Sequence, residues 1–262
     1  MDDVIVSLRD VEKDYRSLRP LRIRRLDVHR GESVALIGLD RAAAETLVNL
    51  ITGATVPDKG DVVVFDTPTR SIADADAWLR AMDRFGILSE RVVLLDAFTV
   101  LQNLVLPFSL DLHQVPDNLR VRVERLAEET GITAEQLVQS PHGLGATARA
   151  RVRLAKGLAL NPELMLAEHP NEFLDPAAAS AFAADLAGIA ARRGMATIVV
   201  TADGVFAQAV ANRVLELGPA TGELRELRSP SVRNPWNRTW IRLQEIVWGW
   251  SADGNRRGER HD

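Results

Sequence analysis

The residues with the clearest chemical potential lie in Ala35-Leu36-Ile37-Gly38-Leu39-Asp40-Arg41-Ala42-Ala43-Ala44-Glu45-Thr46. An apolar run, a Gly and a short loop leading into a helix is the outline of a phosphate-binding loop, G-x-x-x-x-G-K-[ST]. Laid on Gly38, the pattern puts Ala43 at the second Gly, Ala44 at the Lys and Glu45 at the Ser/Thr. A working loop holds phosphate with backbone amides and an ammonium, and holds Mg²⁺ through the hydroxyl. Ala44 removes a charge-assisted hydrogen bond of about 1.5–3 kcal/mol. Glu45 adds a like charge that repels phosphate by roughly 4 kcal/mol at about 4 Å and an effective dielectric near 20. The helix N-terminus returns only about 0.3–1 kcal/mol. Ala43 takes the place of a Gly that lets the backbone approach phosphate closely. Arg41 could reach a phosphate, but a loop arginine facing solvent reads the same way.

Such a loop needs a strand behind it and a helix ahead. Ser33 to Ile37 is a short buried strand of the parallel kind, and Asp40 to Thr52 is helical with Gly53 just past its end. Strands are expected over Val4 to Tyr15, Leu21 to Val28, Asp61 to Phe65, Gly86 to Leu88, Leu164 to Ala167 and Thr197 to Thr201. Helices are expected over Asp74 to Met82, Thr99 to Leu104, Pro116 to Glu129, Gly145 to Leu160, and Asp175 to about Arg192. The last opens with an Asp cap and a first-turn Pro. Asn212 to Leu217 and Gly222 to Leu227 read as a closing hairpin. Alternating short strands and helices predict an α/β fold with a mostly parallel core sheet. Antiparallel strands from the two ends would make a side sheet.

The chain of 262 residues has 46% hydrophobic and 26% charged residues, ordinary for a globular protein. Its net charge of −4 disfavours a nucleic-acid partner. Without cysteine, neither a disulfide framework nor a thiolate metal site is open to it. His29, His113, His142 and His261 are scattered without paired spacing, so no metal site is expected. The acidic start Met1-Asp2-Asp3 does not resemble a signal peptide, and no apolar run reaches the roughly 18–20 residues of a membrane span. After Asn234-Pro235, Trp236, Trp240, Leu243, Val247 and Trp250 recur at helical spacing. This predicts a Trp-rich amphipathic helix over about 235–250 and a polar tail, an extension spanning 229–262.

Over residues 4 to 228 the order of motifs resembles the nucleotide-binding domain of ATP-binding cassette (ABC) transporters. The resemblance implies a P-loop NTPase-like ABC ATPase fold over 1–228: a mostly parallel core sheet, an antiparallel β side sheet and an inserted α-helical subdomain at about 98–160. Tyr15 stands where the family stacks an aromatic on adenine, although a strand-end core tyrosine would look alike. Glu90 falls at the glutamine that contacts the metal and senses the transmembrane partner. Phe98-Thr99-Val100-Leu101-Gln102-Asn103-Leu104 resembles lipoprotein- and peptide-export members. Leu144-Gly145-Ala146-Thr147 aligns with the signature L-S-G-G-Q. In Leu164-Met165-Leu166-Ala167-Glu168-His169-Pro170-Asn171, matched to L-L-x-A-D-E-P-T, Glu168 replaces the metal-associated Asp and His169 the catalytic Glu. Leu174-Asp175 keeps the loop that crosses the dimer interface, and Ala202 replaces the switch histidine.

With these positions altered, the resemblance implies a catalytically silent or strongly impaired cassette subunit of an ABC transporter, with no catalytic residue of its own expected. Its partners would be a transmembrane permease and a second, active ABC ATPase domain in a heterodimer, with no nucleic acid. ATP and Mg would bind only at a site the partner contributes, and the chain would sit at the cytoplasmic face of the membrane through the permease. Two other readings remain open at this point. One is an active ATPase using non-standard residues. The other is a regulatory module outside transport, suggested by the Trp-bearing segment.

Overall fold

Three short strands, each with four apolar residues out of five, become the centre of the molecule. The computed structural model describes residues 3–72, 74–112 and 114–227. In chain order its elements are β1 (Val4–Lys13), β2 (Leu21–His29), β3 (Ser33–Ile37), α1 (Arg41–Ile51), β4 (Lys59–Val64), β5 (Thr67–Pro68), α2 (Ala75–Met82) and β6 (Phe85–Leu88). Then follow α3 (Val100–Val105), α4 (Asp117–Glu129), α5 (Ala134–Leu137), α6 (Ala146–Leu158), β7 (Leu164–Glu168), α7 (Pro176–Arg193), β8 (Ala196–Val200), α8 (Gly204–Val210), β9 (Arg213–Gly218) and β10 (Glu223–Glu226).

The main sheet has the order β10-β9-β3-β8-β7-β6, parallel except for β10 at its edge. All five residues of β7 and of β8 are buried, as a sheet covered on both faces requires. Alternate residues feed two cores. Val34, Leu36, Leu166 and Ile198 point to a layer made by α1 and the antiparallel sheet β2-β1-β4-β5. Ala35, Met165, Ala167 and Val199 point to the other, where α3, α4, α6, α7 and α8 pack. The crossovers from β3, β7 and β8 put a helix start at one common edge of the sheet, the place where open α/β sheets bind ligands.

One expectation is corrected. The strands at the two ends of the chain do not share a side sheet: β9 pairs parallel to β3, with Leu36 opposite Leu215, and β10 closes the main sheet beside it. The adjacent buried pair Val214-Leu215 explains this, since a strand covered on both faces belongs inside the main sheet. The short helices α5 and α8 also form without having been expected. Both are capped at their starts, α5 by a Thr133–Gln136 capping box and α8 by Asp203. The tryptophan seam over about 235–250 lies outside the described residues.

Candidate nucleotide site

The turn from β3 to α1 keeps the shape of a phosphate loop. Gly38 has φ +94°, and a Cβ there would stand 2.9 Å from the Leu217 carbonyl oxygen of β9. A left-handed backbone with another chain against it admits only glycine at low cost. Leu39 then turns into the core, and α1 begins. Two amides at the start of α1, those of Ala43 and Ala44, are occupied by the chain itself. Ala43 N–H donates to Asp40 Oδ1 at 2.8 Å and Ala44 N–H donates to Asp40 O at 2.9 Å. Ala43 and Ala44 are buried. The Thr46 hydroxyl donates to Ala42 O at 2.7 Å, so it is satisfied within the helix. Arg41 is drawn to the segment after β7, where it pairs with Glu172 and lies over the Phe173 ring at 5.6 Å.

Glu45 and Glu168 stand at the two protein positions that hold Mg²⁺ in the phosphate-loop scheme. They meet through a residue absent from the sequence-based set, Arg91, in the turn after β6. Arg91 Nε donates to Glu168 Oε2 at 2.9 Å, its Nη2 donates to Glu168 Oε1, and its Nη1 donates to Glu45 Oε1 at 3.1 Å. Ser89 Oγ donates to Glu168 Oε2 at 2.8 Å and accepts from Arg91 N–H at 3.1 Å. Glu168 is buried, whereas Arg91 and Glu45 are close to half exposed. The hydrogen bonds to Glu168 hold the Arg91 guanidinium above its ordinary pKa.

These residues do not fit a divalent ion. Mg²⁺ demands oxygen ligands at about 2.0–2.1 Å in octahedral array, but both carboxylates are already turned to a planar cation. A doubly charged ion about 4 Å from the guanidinium would be repelled by roughly 8 kcal/mol at an effective dielectric near 20. Among the described residues, no three acidic or histidine side chains gather as a metal cluster.

Glu90, expected beside the metal, faces the other way. It forms a two-pronged pair with Arg153 of α6, both contacts at 2.7 Å. Arg153 also donates to Val92 O, and Lys156 donates to Val93 O at 2.9 Å. Burial lowers the pKa of both cations. Adjacent residues Glu90 and Arg91 thus join the turn to α6 on one side and to α1 and β7 on the other. His169 sits past β7 at φ +44° with its amide donating to Val200 O, and its Nε2 is buried without a hydrogen-bond partner. Ala202 is exposed. Nearby, Asn171 connects the Thr201 hydroxyl, 2.9 Å away, with Asp203 at 3.3 Å. Tyr15 is half-buried against the core under the antiparallel sheet.

The signature-like residues form a second, separate feature. Leu144 is buried, and Gly145 caps α6 with no side-chain hydrogen bond. Nothing lies within 4 Å of a Cβ placed on Gly145. Ala146 and Thr147 are half-buried in the first turn of α6. Leu174 packs against the helical core, and Asp175 caps α7 by accepting from Ala178 N–H at 2.9 Å. Among the described residues no hydrogen bond or ion pair connects Leu144 to Thr147 with the β3–α1 turn. Of the sequence-predicted residues, Gly38 to Glu45 and Glu168 therefore converge, whereas Glu90 and the signature-like turn belong elsewhere. No pattern position marks Arg91, and its two acidic partners lie far from it in the chain, so no local signal singles it out.

The chain is similar to known proteins. The profile of the family described as ABC transporter matches residues 21–172, more than half of the chain. The lipoprotein-releasing system ATP-binding protein LolD of Xylella fastidiosa (strain Temecula1 / ATCC 700964) is 31% identical over 207 residues, 79% of this chain and 84% of LolD. The methionine import ATP-binding protein MetN of Brucella abortus (strain 2308) is 29% identical over 214 residues, 81% of this chain. The chain spans only 57% of the length of that protein. Among solved structures, the dimeric bacterial ABC transporter cassette MJ0796 superposes with a TM-score of 0.72 at 24% identity, over 86% of this chain and 99% of that one. The cbiO1 structure from Clostridium perfringens gives 0.73 at 19% identity over 97% of both chains. At these identities the structures speak for the fold, which is that of an ABC ATPase. With the family profile and the LolD similarity added, the chain belongs to the ABC transporter family, through its ATP-binding domain.

Proposed function

We propose that this chain is an ATP-binding-cassette subunit of an ABC transporter that acts by assembly and does not hydrolyse ATP at its own phosphate loop. The observation that carries the reading is the start of α1. Asp40 caps the Ala43 amide, and a buried Ala44 stands where an ammonium is needed. Phosphate would have to displace a carboxylate of its own sign there and would find no lysine to receive it. Arg41, the cation nearest in sequence, is engaged with Glu172 and Phe173.

Its partners in this reading are a transmembrane permease and a second cassette domain with an intact loop. In a head-to-tail pair, the partner's loop would face Gly145-Ala146-Thr147, whose helix-start amides carry no side-chain cap. ATP and Mg would then bind only at the site the partner's loop supplies, and the permease would hold the chain at the cytoplasmic face. Among the described residues no helix is long and apolar enough to cross a membrane. The relatives named for methionine import and for lipoprotein release are similarly distant, so the proposal commits to a transporter subunit and to no substrate.

Purification from native membranes should bring a permease and an intact cassette ATPase with this chain. The purified chain alone should show no ATP turnover above a Glu168→Gln control. In the complex, His169→Ala should leave transport unchanged, and a large loss of transport in that variant would sink the proposal.

A further inference from the structure

We propose that Arg91 is the resident cation of this site, its guanidinium holding Glu45 and Glu168 together in place of a divalent ion. The inference deepens the reading of an unloaded phosphate loop, but it rests on the side-chain geometry and needs no nucleotide. All three nitrogens of Arg91 are engaged, two on Glu168 and one on Glu45. Ser89 prepares the arrangement, since its hydroxyl accepts the Arg91 amide and donates to Glu168. Glu168 and Ser89 are both buried, so this is a built site and not a chance surface pair.

One cause then explains two departures from the phosphate-loop scheme. A hydroxyl is a fitting ligand for Mg²⁺ but a poor partner for a guanidinium; Glu45 supplies a carboxylate instead. A longer acid at the end of β7, Glu168, reaches Arg91 with both of its carboxylate oxygens, which the planar fork matches in bidentate fashion. Arg91 supplies a charge that neither pH nor chelators remove. The result is a site whose cation is covalently part of the chain, joining α1, the turn after β6 and β7 with no dependence on metal concentration.

Removing the guanidinium should leave two facing carboxylates and the Ser89 hydroxyl, a donor set that suits a hard divalent cation. The test is a Mn²⁺ titration of the full chain without nucleotide, followed by calorimetry and by the Mn²⁺ electron-spin resonance signal. The native chain should take up no Mn²⁺ into the millimolar range, and MgCl₂ should not raise its melting temperature beyond an ionic-strength control. Arg91→Ser should melt at lower temperature and gain one saturable Mn²⁺ site. Affinity should be at least roughly tenfold tighter than any native binding, and Glu168→Gln in that background should abolish it. Uptake of one Mn²⁺ by the native chain would overturn the proposal. So would a folded Arg91→Ser chain as indifferent to Mn²⁺ as the native one. If Arg91→Ser does not fold, Arg91→Gln decides: it keeps much of the side-chain length without the charge, so this variant should gain Mg²⁺-dependent thermal stability, and its failure to do so counts against the idea. ATP turnover is not read in this experiment, so its outcome is separate from that of the assembly reading.

Discussion

Two helix starts in this molecule could each face a phosphate, and they are finished in opposite ways. At α1 the amides are closed by Asp40, the loop glycine is pressed against Leu217, and Arg91 fills the space between the acids. At α6 the cap is Gly145, with no side-chain hydrogen bond and open space around it. A helix start favours an anion whether or not it finds one. The difference teaches that this chain satisfies its own loop internally and leaves the α6 turn available to something outside. In the head-to-tail pair proposed above, those would be the two halves of different sites, and a chain of this kind would make the pair asymmetric.

The largest expected effect tests how tightly the closed side is built. Gly38→Ala puts a Cβ into a left-handed backbone 2.9 Å from a backbone oxygen that cannot rotate away. Loss of about 2–4 kcal/mol is expected, combining dihedral strain with displacement of β9. Gly145→Ala, at φ −66° and with nothing nearby, should lose less than about 1 kcal/mol. Denaturant unfolding of the two variants measures both, and equal losses would break the contrast.

Acid titration tests the closed side at the start of β7. Glu163, just before the strand, bonds Arg84 and Arg30 at 2.6 Å each, which pulls its pKa from 4.5 to about 2. A carboxyl depressed on folding stabilises above its unfolded pKa, and that stability is lost as pH falls through the folded value. The loss should therefore develop between about pH 5 and pH 2. Because Glu163 is one-third exposed, its contribution after solvent screening is on the order of 1–2 kcal/mol. Glu163→Gln should lower the melting temperature at neutral pH and flatten the profile over that window. An unchanged slope would move acid sensitivity to other carboxylates, with Glu129, which its hydrogen bonds from Arg193 hold below the usual carboxylate range, the first to examine.

Much of this was legible in the sequence, and the remainder has physical reasons. Strands β3, β7 and β8 announce themselves as short, mostly apolar stretches, and Asp175-Pro176 marks a helix start by local chemistry alone. The phosphate-loop frame is likewise local, spanning residues 38 to 46. Arg91 is different, since its partners lie 46 residues before it and 77 after it in the chain. Only the fold brings them together. The same holds for Glu90, which local order placed beside a metal and which the structure joins to Arg153, 63 residues on. Strand β9 was read from its pattern as half of a hairpin, because its second partner, β3, is far away in sequence. Aligned motifs give position along the chain and leave open which way a side chain turns.

A smaller effect removes the closed side's cap. Asp40→Ala should cost about 1 kcal/mol, the usual loss for an N-cap carboxylate, read as a lower denaturation midpoint with unchanged slope. It should not restore ATP binding, because Ala44 and Glu45 remain. Tight ATP binding by this variant would mean that Asp40 alone had kept phosphate out.

The smallest effect on stability comes from giving the open side what the closed side already has. Gly145→Asp would place a carboxylate at the α6 cap, where it can accept from the amides of the first turn. An Asp cap exceeds Gly by only a few tenths of a kcal/mol, so the isolated chain should melt slightly higher or unchanged. In the complex the same carboxylate would stand where the partner's nucleotide is proposed to lie, repelling phosphate and occupying amides it would otherwise use. ATP affinity and transport should therefore fall in the assembled transporter while the chain itself is no less stable. If both stay at native levels, the open amides of α6 have no nucleotide to serve, and the asymmetry drawn between the two helix starts loses its functional meaning.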